Sequence, residues 1–133
     1  MAQKQTKLML LAIDASPSDR MKQWMDDGSL PNLARLRSNA ATGAIDSTAD
    51  HLVGTPWPTF YTGTYPPEHG WMFYLSWRPD LMKFVRAKPD WQPIEPFYRN
   101  FPLDGPRVIA VDVPITYAPK PFNGVELTGW ATH

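Results

Sequence analysis

The apolar positions of this chain follow two kinds of pattern. Two runs are continuously apolar. Leu8 to Ile13 follows Lys7 and is cut by Asp14-Ala15-Ser16-Pro17, and Arg107 to Val113 (RVIAVDV) is ended by Pro114. A short run without polar alternation, bounded by turn residues, predicts a strand buried on both faces, the kind found inside a parallel sheet. Elsewhere the spacing is helical. From Ser18 to Met25 the residues Met21, Trp24 and Met25 share one stripe, and Gly28 closes it. Ser29 to Ser38 sets Leu30, Leu33, Leu36 and Arg37 at helical spacing, with Pro31 near the start. Thr42 to Ser47 reads as a short strand and Val125 to Leu127 as a last one.

The middle of the chain is less regular. Thr55-Pro56 opens a short helix through Trp57, Phe60 and Tyr61 to Gly63, and Tyr65-Pro66-Pro67 stops it. Trp71 to Pro102 is aromatic and broken by proline, which predicts a long excursion with short elements around Leu81 to Arg86 and Ile94 to Arg99. Strand, helices, strand, excursion, strand is the order of a layered α/β domain, a mostly parallel central sheet flanked by helices. Two central-type strands need neighbours on both edges and cover on both faces, and this chain offers few elements for that. The expectation is therefore a partial sandwich, with 1–133 forming the N-terminal part of a longer catalytic domain whose C-terminal part is missing. A complete protein that shares its sheet with a second copy is the alternative.

Composition narrows the function. A length of 133 residues allows one domain with a real core. Lys and Arg number 13 against 13 Asp and Glu, with no basic run, so the footprint of a nucleic-acid binder is missing. No cysteine occurs, which removes disulfides, thiolate zinc sites and a cysteine nucleophile. Leu8 to Ile13 is too short to span a membrane and meets no small-residue cleavage site, so no membrane segment or signal peptide is expected and a cytoplasmic location is. The 15 prolines lack a period and lie among Trp, Phe and Tyr, which fits ordered loops anchored by aromatic side chains.

Few residues can carry chemistry. Asp14 stands directly after a predicted strand, at the sheet edge where open α/β domains hold ligands, so it can serve a divalent cation or simply fix an Asx-turn. Thr55 can cap its helix, or act as a nucleophile if a metal or base activates the hydroxyl. Thr59, Thr62 and Thr64 stand close enough to compete for that role. His51, His69 and His133 are too far apart for a local metal motif, and the expected role of His69 is a hydrogen bond that pins its loop. Asp112, near the end of the second strong strand, can approach the same sheet edge as Asp14 or cap the turn at Thr116. No phosphate-binding glycine loop, no G-x-G-x-x-G and no G-x-S-x-G elbow is present.

Taken together, LLAIDA around Asp14, GSLPNLARL at Gly28 to Leu36, TPWPTFYTGTYPPEHG at Thr55 to Gly70 and RVIAVDVPITYAPKPFNGVELTGWATH resemble the alkaline phosphatase superfamily. Its type I phosphodiesterase/nucleotide pyrophosphatase branch is the nearest in pattern. The resemblance implies an alkaline-phosphatase-like fold and hydrolysis of a small phosphoester substrate, a phosphodiester or nucleotide pyrophosphate, through a covalent phosphothreonine. It implies two divalent metal ions, zinc or manganese. Asp14 matches a metal ligand, and Thr55 the metal-bound nucleophile, with Thr59 as a lesser candidate. Thr62, Gly63, His69 and Gly70 match framework positions. The remaining ligands would come from later Asp-His-Gly and histidine motifs, so the 133-residue chain is expected to be inactive. Asp14-Ala15 replaces the Asp-Gly of many relatives, which matters only if the backbone needs a positive φ there. Sulfatases are disfavoured, since neither cysteine nor S-x-P-x-R is present. A non-catalytic α/β interaction module or degenerate relative is the rival reading.

Overall fold

Helix α1, Ser18–Asp26, begins directly after Pro17, whose carbonyl takes the first backbone bond from Met21 at 3.0 Å. Leu30 N–H returns to the Trp24 carbonyl at 2.8 Å, which turns the chain into α2, Pro31–Ser38. Met21, Met25, Leu30, Leu33, Ala34 and Arg37 are the half-buried residues of this helical pair, and Trp24 is exposed. Asp26 ties the pair electrostatically, accepting from Lys22 at 2.7 Å and from Arg37 on α2. The computed structural model describes residues 7–91, 93–117 and 120–128. The chain divides into two compact units, Met1–Ile45 and Asp46–His133, and α1 and α2 belong to the first.

The run from Leu8 to Ile13 differs from expectation. Among the described residues it joins no ladder, and its side chains stand in the open, Leu8 90% exposed. The regular elements among the described residues of its own unit are two helices, and helices present no strand edge for its backbone. Residues 42–47 likewise join no ladder among the described residues.

The second unit starts with a 3-10 turn, Thr48–Asp50, opened by the Ser47 hydroxyl accepting from Ala49 N–H at 3.1 Å. Helix α3, Pro56–Thr62, uses Pro56 where a missing N–H costs nothing, and it ends at Gly63, whose φ of 68° is the left-handed conformation that glycine adopts without a Cβ penalty. One turn of helix, α4 (Pro66–His69), follows. Its capping box has the Glu68 carboxylate accepting from Tyr65 N–H at 2.9 Å.

Strands β1, Leu75–Arg78, and β2, Lys83–Arg86, pair antiparallel, Trp77 opposite Phe84. Strands β3, Val108–Val111, and β4, Gly124–Leu127, pair in parallel, Val108 opposite Gly124. Of the expected excursion elements, Leu81 to Arg86 yields β2, while Ile94 to Arg99 yields a 3-10 turn at Phe97–Arg99. Among the described residues the architecture is thus mixed α/β with two small sheets and several helices, and one of the two sheets is parallel. Gly124 is dictated by space. A Cβ there would lie 2.0 Å from the Val108 carbonyl oxygen, so no larger residue can start β4 in this register.

The core of the second unit mixes aromatic and polar side chains. Tyr61, Trp71 and Ile115 are almost fully buried, and the Tyr61 hydroxyl donates to the Ile115 carbonyl at 2.8 Å, fastening α3 to the turn after β3. Arg99 is the other knot. Its buried guanidinium donates to the Tyr117 carbonyl and to Glu126 on β4, and lies 3.4 Å from Glu95. Tyr98 donates to the same Glu126 at 2.8 Å. Burial, then the bond to and charge of Glu126, push the Tyr98 phenol well above its ordinary range.

Candidate active site

The stretch 48–71 is held together by hydroxyls and one imidazole. Thr55 occupies the N-cap position of α3 but does not cap it. Its side chain is fully buried, 2.7 Å from the Leu52 carbonyl and 2.6 Å from the Thr48 hydroxyl. A threonine has one hydrogen to give, and a carbonyl can only accept. Thr55 is the donor in both contacts, so its single hydrogen is shared between the Leu52 carbonyl and the Thr48 hydroxyl. The candidate nucleophile rests protonated and covered.

His69 can be assigned by the same reasoning. It is fully buried at the end of α4, and Trp71 N–H points at its Nδ1 at 3.1 Å. A backbone amide is always a donor, so Nδ1 is the acceptor and the ring hydrogen sits on Nε2. That hydrogen goes to Thr59 Oγ1, 3.1 Å away on α3. Burial lowers the His69 pKa, against a smaller opposing effect of Glu68. The pin expected at His69 is in place. It joins α3 to the strand-like exit at Trp71, whose ring packs against Gly54. Thr62 and Thr64 are likewise engaged, Thr62 with the Pro58 carbonyl at 2.6 Å and Thr64 with Thr62 at 2.9 Å.

Asp14 lies in the other unit, in a turn with Ala15. Ala15 adopts φ 49°, so the position does require the conformation in which glycine is at ease and alanine is not. Asp112 and Ile115 also have positive φ, 56° and 59°, in the turn that follows β3. His51 is exposed, and His133 lies outside the described residues.

Thr48 was not foreseen. The only sequence signal for it is Ser47 standing three residues ahead of Asp50, a helix-start pattern, which places a tight turn there without showing that the turn delivers a hydroxyl to Thr55.

Residues 8–127 match the type I phosphodiesterase / nucleotide pyrophosphatase family, and the chain belongs to it. No curated protein and no solved structure gives a significant match. Family membership makes this a hydrolase-family chain of the alkaline phosphatase superfamily and implies metal dependence in general. The donors in hand do not make a metal centre by themselves. Among the described residues no three His, Asp or Glu side chains stand together to hold an ion, and the Thr55 oxygen is already engaged by Thr48 and Leu52.

Proposed function

We propose that this chain is the nucleophile-bearing part of a phosphoesterase that cleaves a phosphodiester or nucleotide pyrophosphate, with Thr55 taking the phosphoryl group. The Thr55 oxygen forms a bond to phosphorus as the bond to the leaving oxygen breaks, and the hydroxyl proton ends on the leaving group. Water then cleaves the phosphothreonine and returns the hydroxyl. Asp14 is the chain's carboxylate ligand to one of two divalent ions, zinc or manganese, and the other ligands come from outside these 133 residues. The family match over residues 8–127, spanning the whole Thr55 to Gly70 motif, carries this reading.

Two features support an incomplete site. Ile109, Val111, Val125 and Leu127 form one face of the β3–β4 sheet and all four are exposed, whereas parallel sheets are covered on both faces. The buried, protonated Thr55 must also lose its Leu52 bond before it can attack. The same burial favours a second reading, a non-catalytic module or degenerate relative.

Hydrolysis of bis-p-nitrophenyl phosphate with zinc or manganese separates these. The 133-residue chain should show no turnover, and turnover abolished by Thr55→Ala would overturn that. In a longer protein carrying this segment, Asp14→Asn and Thr55→Ala should each remove nearly all turnover while thermal unfolding is unchanged. Loss with Thr59→Ala but not with Thr55→Ala would move the nucleophile to Thr59. A longer protein that takes up no zinc and hydrolyses nothing is the module.

A further inference from the structure

The β1–β2 hairpin has an exposed face that combines aromatic and aliphatic side chains with a concentration of cations. Ser76 and Val85 are its half-buried positions, while Leu75, Trp77, Phe84 and Arg86 share the other face and are exposed. The connecting turn adds Leu81 and Met82, the latter 75% exposed. Trp77 and Phe84 meet edge to face with ring centroids 5.2 Å apart.

Charge follows the same element. Residues 75–88 hold four cations, Arg78, Lys83, Arg86 and Lys88, against the single carboxylate of Asp80. Arg78 neutralises Asp80 with bonds of 2.8 and 2.7 Å. Lys83, Arg86 and Lys88 have no ion-pair partner among the described residues. The chain is neutral as a whole, so the hairpin's excess of three positive charges is matched by an equal acidic excess elsewhere.

We propose that this hairpin docks, tip first, on an anionic lipid surface. The order of side chains along it decides for lipid. Leu81 and Met82 lie at the tip together with the mutually neutralised Arg78–Asp80 pair and Lys83, the Trp77–Phe84 pair sits about two residues or ~7 Å behind, and Arg86 and Lys88 lie further back. Acyl boundary, headgroup zone and anionic surface call for aliphatic, aromatic and cationic groups in that sequence, over a penetration of about 5–10 Å. A nucleic acid would use the aromatic rings and cations but has no use for an aliphatic tip. Docking of this kind is peripheral, and no helix among the described residues is long and apolar enough to cross a membrane. The proposal is independent of the phosphoesterase reading.

The test is co-sedimentation of the 133-residue chain with phosphatidylcholine vesicles, with and without phosphatidylserine. Binding is expected only where phosphatidylserine is present, falling roughly fivefold for each cation removed, so about a hundredfold for Lys83→Gln/Arg86→Gln/Lys88→Gln. Met82→Asp should also weaken it, and bilayer-brominated lipid should quench fluorescence that is lost in Trp77→Phe. These surface changes leave the core untouched, and far-UV circular dichroism verifies it. Equal binding to both vesicles, no binding to either, preference for a single-stranded oligonucleotide, or a self-association that the Met82→Asp change abolishes would each overturn the proposal.

Discussion

His69 offers a perturbation whose size can be worked from its two hydrogen bonds. Replacing it with leucine leaves the buried Trp71 N–H without its acceptor, a cost of about 1–3 kcal/mol, and deletes the bond to Thr59, worth about 1 kcal/mol more. A loss near 3 kcal/mol is expected. Protonation should do part of the same damage. Burial lowers the folded-state pKa below the ordinary 6.5, so the unfolded chain takes up the proton first. The stability contribution is therefore complete above pH 6.5 and declines as pH falls toward the folded value, at up to ~1.4 kcal/mol per pH unit. Urea unfolding followed by tryptophan fluorescence at pH 7.5 and 5.5 measures this. The natural chain should lose more stability between the two than His69→Gln, which accepts from Trp71 but does not titrate there. His51 is common to both proteins and cancels. Equal pH dependence in the two would refute the buried neutral ring.

Two further outcomes are expected. Arg99→Met strands the buried carboxylate of Glu126 and should destabilise by about 3–5 kcal/mol in the same urea assay, whereas the double change with Glu126→Leu should recover part of the loss. Ala15→Gly relieves a left-handed alanine that costs about 1 kcal/mol, partly offset by the greater freedom of glycine in the unfolded chain, and should raise the midpoint of unfolding reported by Trp24.

The residues that spoke plainly in the sequence were those whose structure is local. Pro56 and Gly63 bracket α3, and Ser18 and Pro31 mark the starts of α1 and α2 within a residue or so, because caps and proline act through their own neighbours. The runs at Leu8 and Arg107 show the limit of that reading. Both are equally apolar, yet only the second is in a ladder, since periodicity reports that a segment needs burial and not what will bury it. Strand β1 escaped because Trp77, Arg78 and Pro79 look like loop, and its alternation becomes visible only opposite β2. At the site, Thr55 and His69 stood out by motif. The contacts that define them, Thr48 to Thr55 and Thr59 to His69, span seven and ten residues and arise from how two turns fold back.

Strands β3 and β4 are only four residues each, and aliphatic pairs of that length could slide past one another with little to stop them. Glu126 removes that freedom. A slip by one position would turn its carboxylate toward the greasy side and carry Leu127 to the Arg99 guanidinium, so the ion pair works as a key that fits a single alignment. The bulkless start at Gly124 checks the same alignment sterically from the other end. One charge and one absent side chain thus proofread the pairing, and a mispaired sheet would be marked by an acid with no base to meet it.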